Sequence, residues 1–413
     1  VRAADADLVE RDPALPGLAT LLDDEVLGRW LAAAGWSGGR RRYLRYKPGT
    51  SCVLGLDVET DEGTTAAVLT CVAAGSVPKL QKTRRRAPGG SVLAADPAAG
   101  LLLTTAAADR DLPAVAALAA PEDRAAVLRR LLPGRQPASA TISPLRHKPA
   151  RRWVAVLQAA GEEPLLLRAY RPAVAATVVE ALDALGTARV RTPRLVAGDL
   201  ELGLLVLEFL PGEALSEVAA ATGGSEAQWR AVGKTLAQLH QHPAPGLRRR
   251  PAGAAGEAVC DSADLVSRLL PAQARRAQVL AGRIAARIRV PAGVRVCHGD
   301  FSTDQVIVGP PGSSGVALAD LDEVALDDPV TDLGSLVAAE RMPAADPSAQ
   351  GATDLAPLLA GYGTIRALPP ADQLAVHTAA GLMRRAPEPF RLAAPRWDAD
   401  VVRALDAAEA ALG

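Results

Sequence analysis

The sequence predicts an α+β fold in two lobes, β-rich toward the N-terminus and helical toward the C-terminus. Three observations carry this prediction. Up to residue 209, short apolar runs alternate with Gly- and Pro-bearing turns, as the strands of a sheet do. After residue 214 the chain reads as mostly helical, with apolar residues such as Val232, Leu236 and Leu239 on one face. Between the two regions, the strongly apolar run Leu204 to Phe209 passes into Leu210-Pro211-Gly212-Glu213, a crossing segment.

The elements follow in order. The first 35 residues read as helical, with Leu18, Leu21, Leu22, Val26 and Leu27 on one face. Strands are expected at Tyr43 to Arg45, Cys52 to Val58 and Ala66 to Val72, with a turn at Asp61-Glu62-Gly63. The basic stretch Lys79 to Gly90 reads as a loop. Two more strands are expected at Ser91 to Ala94 and Gly100 to Thr105, then a helix from Glu122 to Leu132 bounded by Pro121 and Pro133-Gly134. Arg45-Tyr46-Lys47-Pro48 is echoed by Arg146-His147-Lys148-Pro149, each followed by two apolar runs around a Gly-bearing turn. Two β-meanders of related design are the expectation. Strands from Trp153, at Leu165 to Tyr170 and near Arg194 to Ala197 complete the β-rich part, with a helix at Ala173 to Leu185. Further helices are expected at Gln228 to His240, Asp354 to Tyr362, Pro370 to Arg385 and Trp397 to Leu412.

A chain of 413 residues exceeds one ordinary core, and three regions are expected: a cap at 1–140, a second β-rich region at 141–213 and a helical region at 214–413. Lys plus Arg and Asp plus Glu each number 46, so no surplus charge argues for nucleic acid or an anionic membrane. The four cysteines lack the close spacing of a metal site and suit a reducing compartment. No run is long and apolar enough for a bilayer span, and the acidic start lacks the features of a signal peptide; a cytoplasmic location is expected.

The chemistry concentrates between Cys297 and Leu333. Asp300 sits in a Gly-containing turn after the apolar Val294 to Val296. Gln305 follows just before the strand Val306 to Val308. A turn over Gly309 to Gly315 returns the chain as the strand Val316 to Ala319, which delivers Asp320. Such a hairpin brings Gln305 and Asp320 together, and their oxygens suit a hard cation such as Mg²⁺. Asp304 and Asp322 lie close enough in sequence to assist, and His298 reads as a hydrogen-bonded structural residue.

The order His298-Gly299-Asp300, a side-chain amide at Gln305, a hairpin to Asp320, then Asp328-Pro329 and Asp332-Leu333, resembles the aminoglycoside phosphotransferase and choline kinase superfamily. Val206 to Gly212 is similar to that family's hinge. The likeness covers roughly residues 145 to 412, and the preceding region resembles the cap of bacterial maltokinases and related aminosugar kinases.

The resemblance implies a protein-kinase-like fold and transfer of phosphate from ATP, or GTP, with Mg²⁺, to a hydroxyl of a small molecule: an aminoglycoside, sugar or aminosugar. A peptide acceptor and a nucleotide-binding pseudokinase are the alternatives; monomer and homodimer both remain open. By the same resemblance Asp300 is the base, Asp320 and Gln305 are metal ligands, and Glu208 and Leu210 flank the adenine. Arg168 stands where the family has a phosphate-binding Lys, with Glu180 as its partner, and Asp328 and Asp332 are structural. Arg is bulkier and binds phosphate as a fork. The acids Asp320, Asp322, Glu323, Asp327 and Asp328 suit a cation, or an acceptor's amine. Acceptor recognition is expected after residue 335, where Glu340, Arg341, Arg384 and Arg385 name no substrate.

Overall fold

The structure, a computed structural model, describes residues 2–60, 63–135, 140–291, 293–309, 315–342 and 353–413. It divides into two compact units: Val1–Ala176 with Leu195–Phe209 and Phe390–Pro395, and Thr177–Arg194 with Leu210–Pro389 and Arg396–Gly413. Among the described residues no helix is long and apolar enough to cross a membrane.

The first unit opens with α1 (Ala3–Arg11), α2 (Leu18–Leu22) and α3 (Asp24–Ala33). The expected helical region is thus broken twice, and Asp23 starts α3 by accepting from the N–H groups of Glu25 and Val26 at 2.8 and 3.3 Å. Then come β1 (Gly39–Lys47), β2 (Ser51–Thr60), β3 (Gly63–Val72), α4 (Val77–Arg86), β4 (Val92–Asp96) and β5 (Leu101–Thr105). They form an antiparallel sheet in the order β1-β2-β3-β5-β4. Asp61 and Glu62 of the expected turn lie outside the described residues. The loop expected from Lys79 is instead α4. Pro78 suits its first turn, Leu80 is its buried anchor, and Arg84, Arg85 and Arg86 complement the carbonyl end of its dipole.

The chain then repeats itself. It runs through α5 (Pro113–Ala119), α6 (Pro121–Leu131), β6 (Thr141–Lys148), β7 (Arg152–Gln158), β8 (Leu165–Tyr170), α7 (Pro172–Leu185), β9 (Leu195–Asp199) and β10 (Leu204–Glu208). The second sheet is ordered β6-β7-β8-β10-β9, the same winding as the first, with a helix again between its third and fourth strands.

The details repeat too. Asp12, in Asp12-Pro13-Ala14-Leu15-Pro16, accepts from the Tyr46 hydroxyl at 2.7 Å and from Gly49 N at 2.8 Å. Asp109, in Asp109-Arg110-Asp111-Leu112-Pro113, pairs with His147 Nε2 at 3.1 Å and accepts from Ala150 N at 2.7 Å. Gly49 and Ala150 share the left-handed region, at φ 65° and 58°. Before the fifth strand, Asp96 and Asp199 each bond their own turn, and Gly100 and Gly203 (φ 65° and 67°) accept from Val72 N and Tyr170 N. The short echo read at Arg45 and Arg146 is one end of this correspondence. Leu112, just before α5, with Val115, Leu118, Val127 and Leu128 of α5 and α6, fills the core under the second sheet with Trp153, Leu167, Leu204 and Val206.

The second unit holds β11 (Glu213–Ala214), α8 (Leu215–Thr222), α9 (Glu226–Gln241), α10 (Ala254–Leu269), α11 (Ala274–Arg287), β12 (Arg295–Cys297), β13 (Val306–Val308), β14 (Val316–Leu318) and β15 (Ala325–Asp327). It continues with α12 (Val330–Arg341), α13 (Ala356–Gly363), α14 (Ala371–Arg385), α15 (Glu388–Arg391) and α16 (Trp397–Leu412), the chain crossing between units within α15. A capping box of Ser225 and Gln228 starts α9. α9 packs on α13, and α12 on α14, which also packs on α16. Against these helices lie two small sheets, β11-β13-β14 and β12-β15. Within the expected turn from Gly309 to Gly315, residues 310–314 lie outside the described residues.

Candidate active site

β12 carries the chain out of the core, its Val296 and Cys297 buried and paired with β15. The next residue, His298, is fully buried and its Nε2 lies 2.8 Å from the carbonyl oxygen of Ala319. Asp300 then emerges, with 52% of its side chain exposed. Its loop is held from below by Asp332 on α12, which accepts from the N–H groups of His298 and Gly299 at 2.6 and 2.9 Å. His240 Nε2, fully buried on α9, meets the same carboxylate at 3.1 Å, and its Nδ1 lies 2.9 Å from the Tyr362 hydroxyl on α13. Asp328 accepts from Val330 N at 3.1 Å and so starts the helix that presents Asp332.

Burial alone would raise the Asp332 pKa. The His240 hydrogen bond, the charges of His240 and His298, and the Gly299 N–H outweigh that and hold it below the ordinary carboxylate value. Cys297 lies with His240 and Asp332 in one buried cluster, where burial and nearby acids push its thiol up.

The hairpin of β13 and β14 pairs Val306 with Leu318, and Ala319 N donates to the Gln305 carbonyl at 2.8 Å. Gln305 therefore lies opposite Ala319, and Asp320 is the next residue along at the mouth of the hairpin. The Gln305 amide donates through Nε2 to Asp304 at 3.0 Å, which directs its oxygen elsewhere. Asp304 is exposed and also accepts from the Ser302 hydroxyl. Asp320, part-buried, occupies the left-handed region at φ 57° and ψ 55°, an unusual conformation for a side chain-bearing residue. Asp322 is part-buried in the short turn after it. Thus Asp300, Gln305, Asp320, Asp304 and Asp322 belong to one unit, on loops that the β12, β13 and β14 strand ends present.

In the first unit Arg168 is only 8% exposed, between Val154 of β7 and Leu205 of β10, and its Nη1 donates to the Tyr170 hydroxyl at 3.0 Å. The matching position in the first sheet is Thr70, opposite Leu102, so the repeated sheet lacks this cation. Glu208 ends β10, part-buried; Leu210 opens the next stretch of the second unit, and Glu180 is exposed on the part of α7 assigned to that unit.

Two features escaped the sequence. His240 stands in the sequence only as the end of the helix expected from Gln228, yet it supports the loop through Asp332. Arg385, which named no substrate, places its guanidinium 3.7 Å from Asp300 Oδ1 with 17% of the side chain exposed. Neither has a local signal, because each meets its partner across scores of residues.

A β-rich region followed by a helical one, the second carrying an exposed Asp on a braced loop beside a small hairpin, has the layout of a protein-kinase-like fold. Residues 141–374 match the model of the phosphotransferase enzyme family, and the chain belongs to that family. Among solved structures, the fold is shared with choline kinase from Cryptosporidium parvum Iowa II (TM-score 0.52, 11% identity, 70% of this chain and 96% of that one). It is shared equally with aminoglycoside 2'-phosphotransferase-IIIa, solved as its GDP complex (TM-score 0.51, 12% identity, 70% of this chain and 98% of that one). No match is found among curated proteins.

Proposed function

We propose that the chain transfers the γ-phosphoryl group of ATP, or of GTP, to a hydroxyl of a small molecule in a Mg²⁺-dependent reaction. The acceptor oxygen forms a bond to γ-phosphorus, the bond from γ-phosphorus to the β,γ-bridging oxygen breaks, and the acceptor's proton goes to Asp300. The observation that carries this reading is the hairpin mouth, where Gln305 and Asp320 both lie, on the chain that follows the braced Asp300 loop.

Phosphoryl transfer asks mainly for positioning and charge neutralisation. A carboxylate that is exposed while its backbone is tied to Asp332 suits the role of orienting a hydroxyl. The oxygens of Gln305 and Asp320 are hard donors of the kind Mg²⁺ prefers, and phosphates and water complete such a shell. When bound, the ion would supply charge neutralisation at the phosphates. The nucleotide roles of Arg168, Glu180, Glu208 and Leu210 rest on the family resemblance alone. Binding of nucleotide without turnover is a second reading, favoured by the commitment of Arg168 to Tyr170.

Asp300→Ala tests the assignment. Acceptor-dependent ADP release should fall about 10²–10⁴-fold, the usual range for loss of a general base. Mg·ATP should still raise the melting temperature, because binding to the native state stabilises it. Undiminished turnover would remove Asp300 from the mechanism, and a wild type stabilised by Mg·ATP yet without turnover would favour the second reading.

A further inference from the structure

The side chains around Asp300 address the identity of the acceptor, a question that rests on the reading of Asp300 as the residue that meets its hydroxyl. An amine-bearing acceptor needs carboxylates available to receive it. The structure ties up several of the acids that suggested such a surface. Glu323 lies 3.4 Å from Arg248 and 3.6 Å from Arg250. Asp327 lies 3.0 Å from Arg250, and Asp328 accepts from the start of α12. Asp300 itself faces Arg385, which also reaches Glu388 at 3.2 Å.

The remaining member of this arginine group is different. Arg384, at the end of α14, is part-buried and within electrostatic reach of Asp300, Glu323, Arg250 and Arg385. Among the described residues its guanidinium makes no hydrogen bond and no ion pair, whereas Arg248, Arg250 and Arg385 each have a carboxylate within 4 Å. Burial disfavours its charge most; Asp300 and Glu323 favour it from a distance, and neighbouring Arg385 and Arg250 oppose it. A guanidinium remains charged in such surroundings, so a counter-charge supplied by a ligand would be strongly favoured. Its planar fork matches a carboxylate in two parallel hydrogen bonds.

We propose that the acceptor is a hydroxy acid, whose carboxylate is bound by Arg384 with Arg385 alongside, while its hydroxyl meets Asp300.

The test uses thermal shift and ADP release with D-glucuronate, D-gluconate and L-malate as acidic probes, and D-glucose and D-glucosamine as neutral and cationic ones. At least one hydroxy acid should raise the wild-type melting temperature at millimolar concentration and stimulate ADP release from Mg·ATP, with the neutral and amino sugars weaker. Arg384→Gln should raise the apparent Kd for that acid at least tenfold, about 1.4 kcal/mol. Arg384→Lys, which keeps the charge and loses the fork, should recover part of the affinity and shows that the effect is not misfolding.

The proposal is overturned if glucosamine is the better ligand or if no hydroxy acid shifts the wild type. It is also overturned if Arg384→Gln weakens stabilisation by ATP and leaves the acid unaffected, since the arginine then serves the nucleotide. Asp300→Ala separates the two readings. Retained acid binding with lost turnover supports both, whereas retained binding with undiminished turnover rejects the base assignment alone.

Discussion

Truncating Asp332 to Ala strands three groups at once, the N–H groups of His298 and Gly299 and the buried ring of His240. Removing one partner of a buried charged network typically costs about 3–5 kcal/mol. The expected outcome is a loss of that order in urea unfolding, with slackened positioning of Asp300. The pH dependence follows from the depressed Asp332 pKa. A carboxyl whose folded pKa lies below its unfolded value, about 3.9, contributes stability fully present above that value. The contribution is lost as pH falls through the folded pKa. The stability difference between wild type and Asp332→Ala should therefore be constant above about pH 5 and narrow below about pH 4, and a gap unchanged down to pH 2 would contradict the assignment. The turn at Asp300, the hairpin from Gln305 to Asp320 and the helix start after Asp328 were legible because turn residues, hairpin strands and Asp-Pro spacing sit within one short stretch. His240 was not, since Leu239-His240-Gln241 looks like any helix face until Asp332, 92 residues on, is folded against it.

At the scale of elements, strands were legible and basic helices were not. Apolar runs bounded by turn residues announce β2, β3, β8 and β10 because burial demands that pattern. α4 has one buried apolar residue, Leu80, and its composition is that of an exposed loop; the helix rests on a favourable first-turn Pro and a basic last turn. A tight turn is a better place for an element-scale prediction. Gly203 holds φ 67° between β9 and β10, and a Cβ there would lie 2.2 Å from the Tyr170 carbonyl oxygen on β8. Gly203→Ala combines a left-handed backbone with a backbone clash and should cost about 2–4 kcal/mol. The urea midpoint should fall with an unchanged m-value, and a change under 0.5 kcal/mol would show that the turn relaxes freely.

At the scale of the molecule, the repeat bears on where the chain divides, and a division near residue 107 stands as a proposal beside the expected cap at 1–140. The expected cap over residues 1–140 ends just before the second half of the visible echo, at β6. Each copy in fact begins earlier, at the Asp-x-x-Leu-Pro segments of Asp12 and Asp109, whose carboxylates reach forward to their own first strands. That reach spans 34 to 41 residues, too far for pattern reading. The helices between 113 and 131 consequently belong to the core of the second sheet, not to the preceding copy. A chain starting at residue 141 would lose Leu112, Leu118, Val127, Leu128 and Leu132, all buried. At about 1.5–3 kcal/mol each the loss reaches roughly 10 kcal/mol, an upper estimate. That is comparable to the whole stability of a typical domain. A chain starting at residue 107 keeps these side chains and Asp109. By circular dichroism the longer chain should melt at least 10 °C above the shorter, or fold where the shorter does not. Equal melting of the two would show that α5 and α6 are dispensable and return the boundary to residue 140.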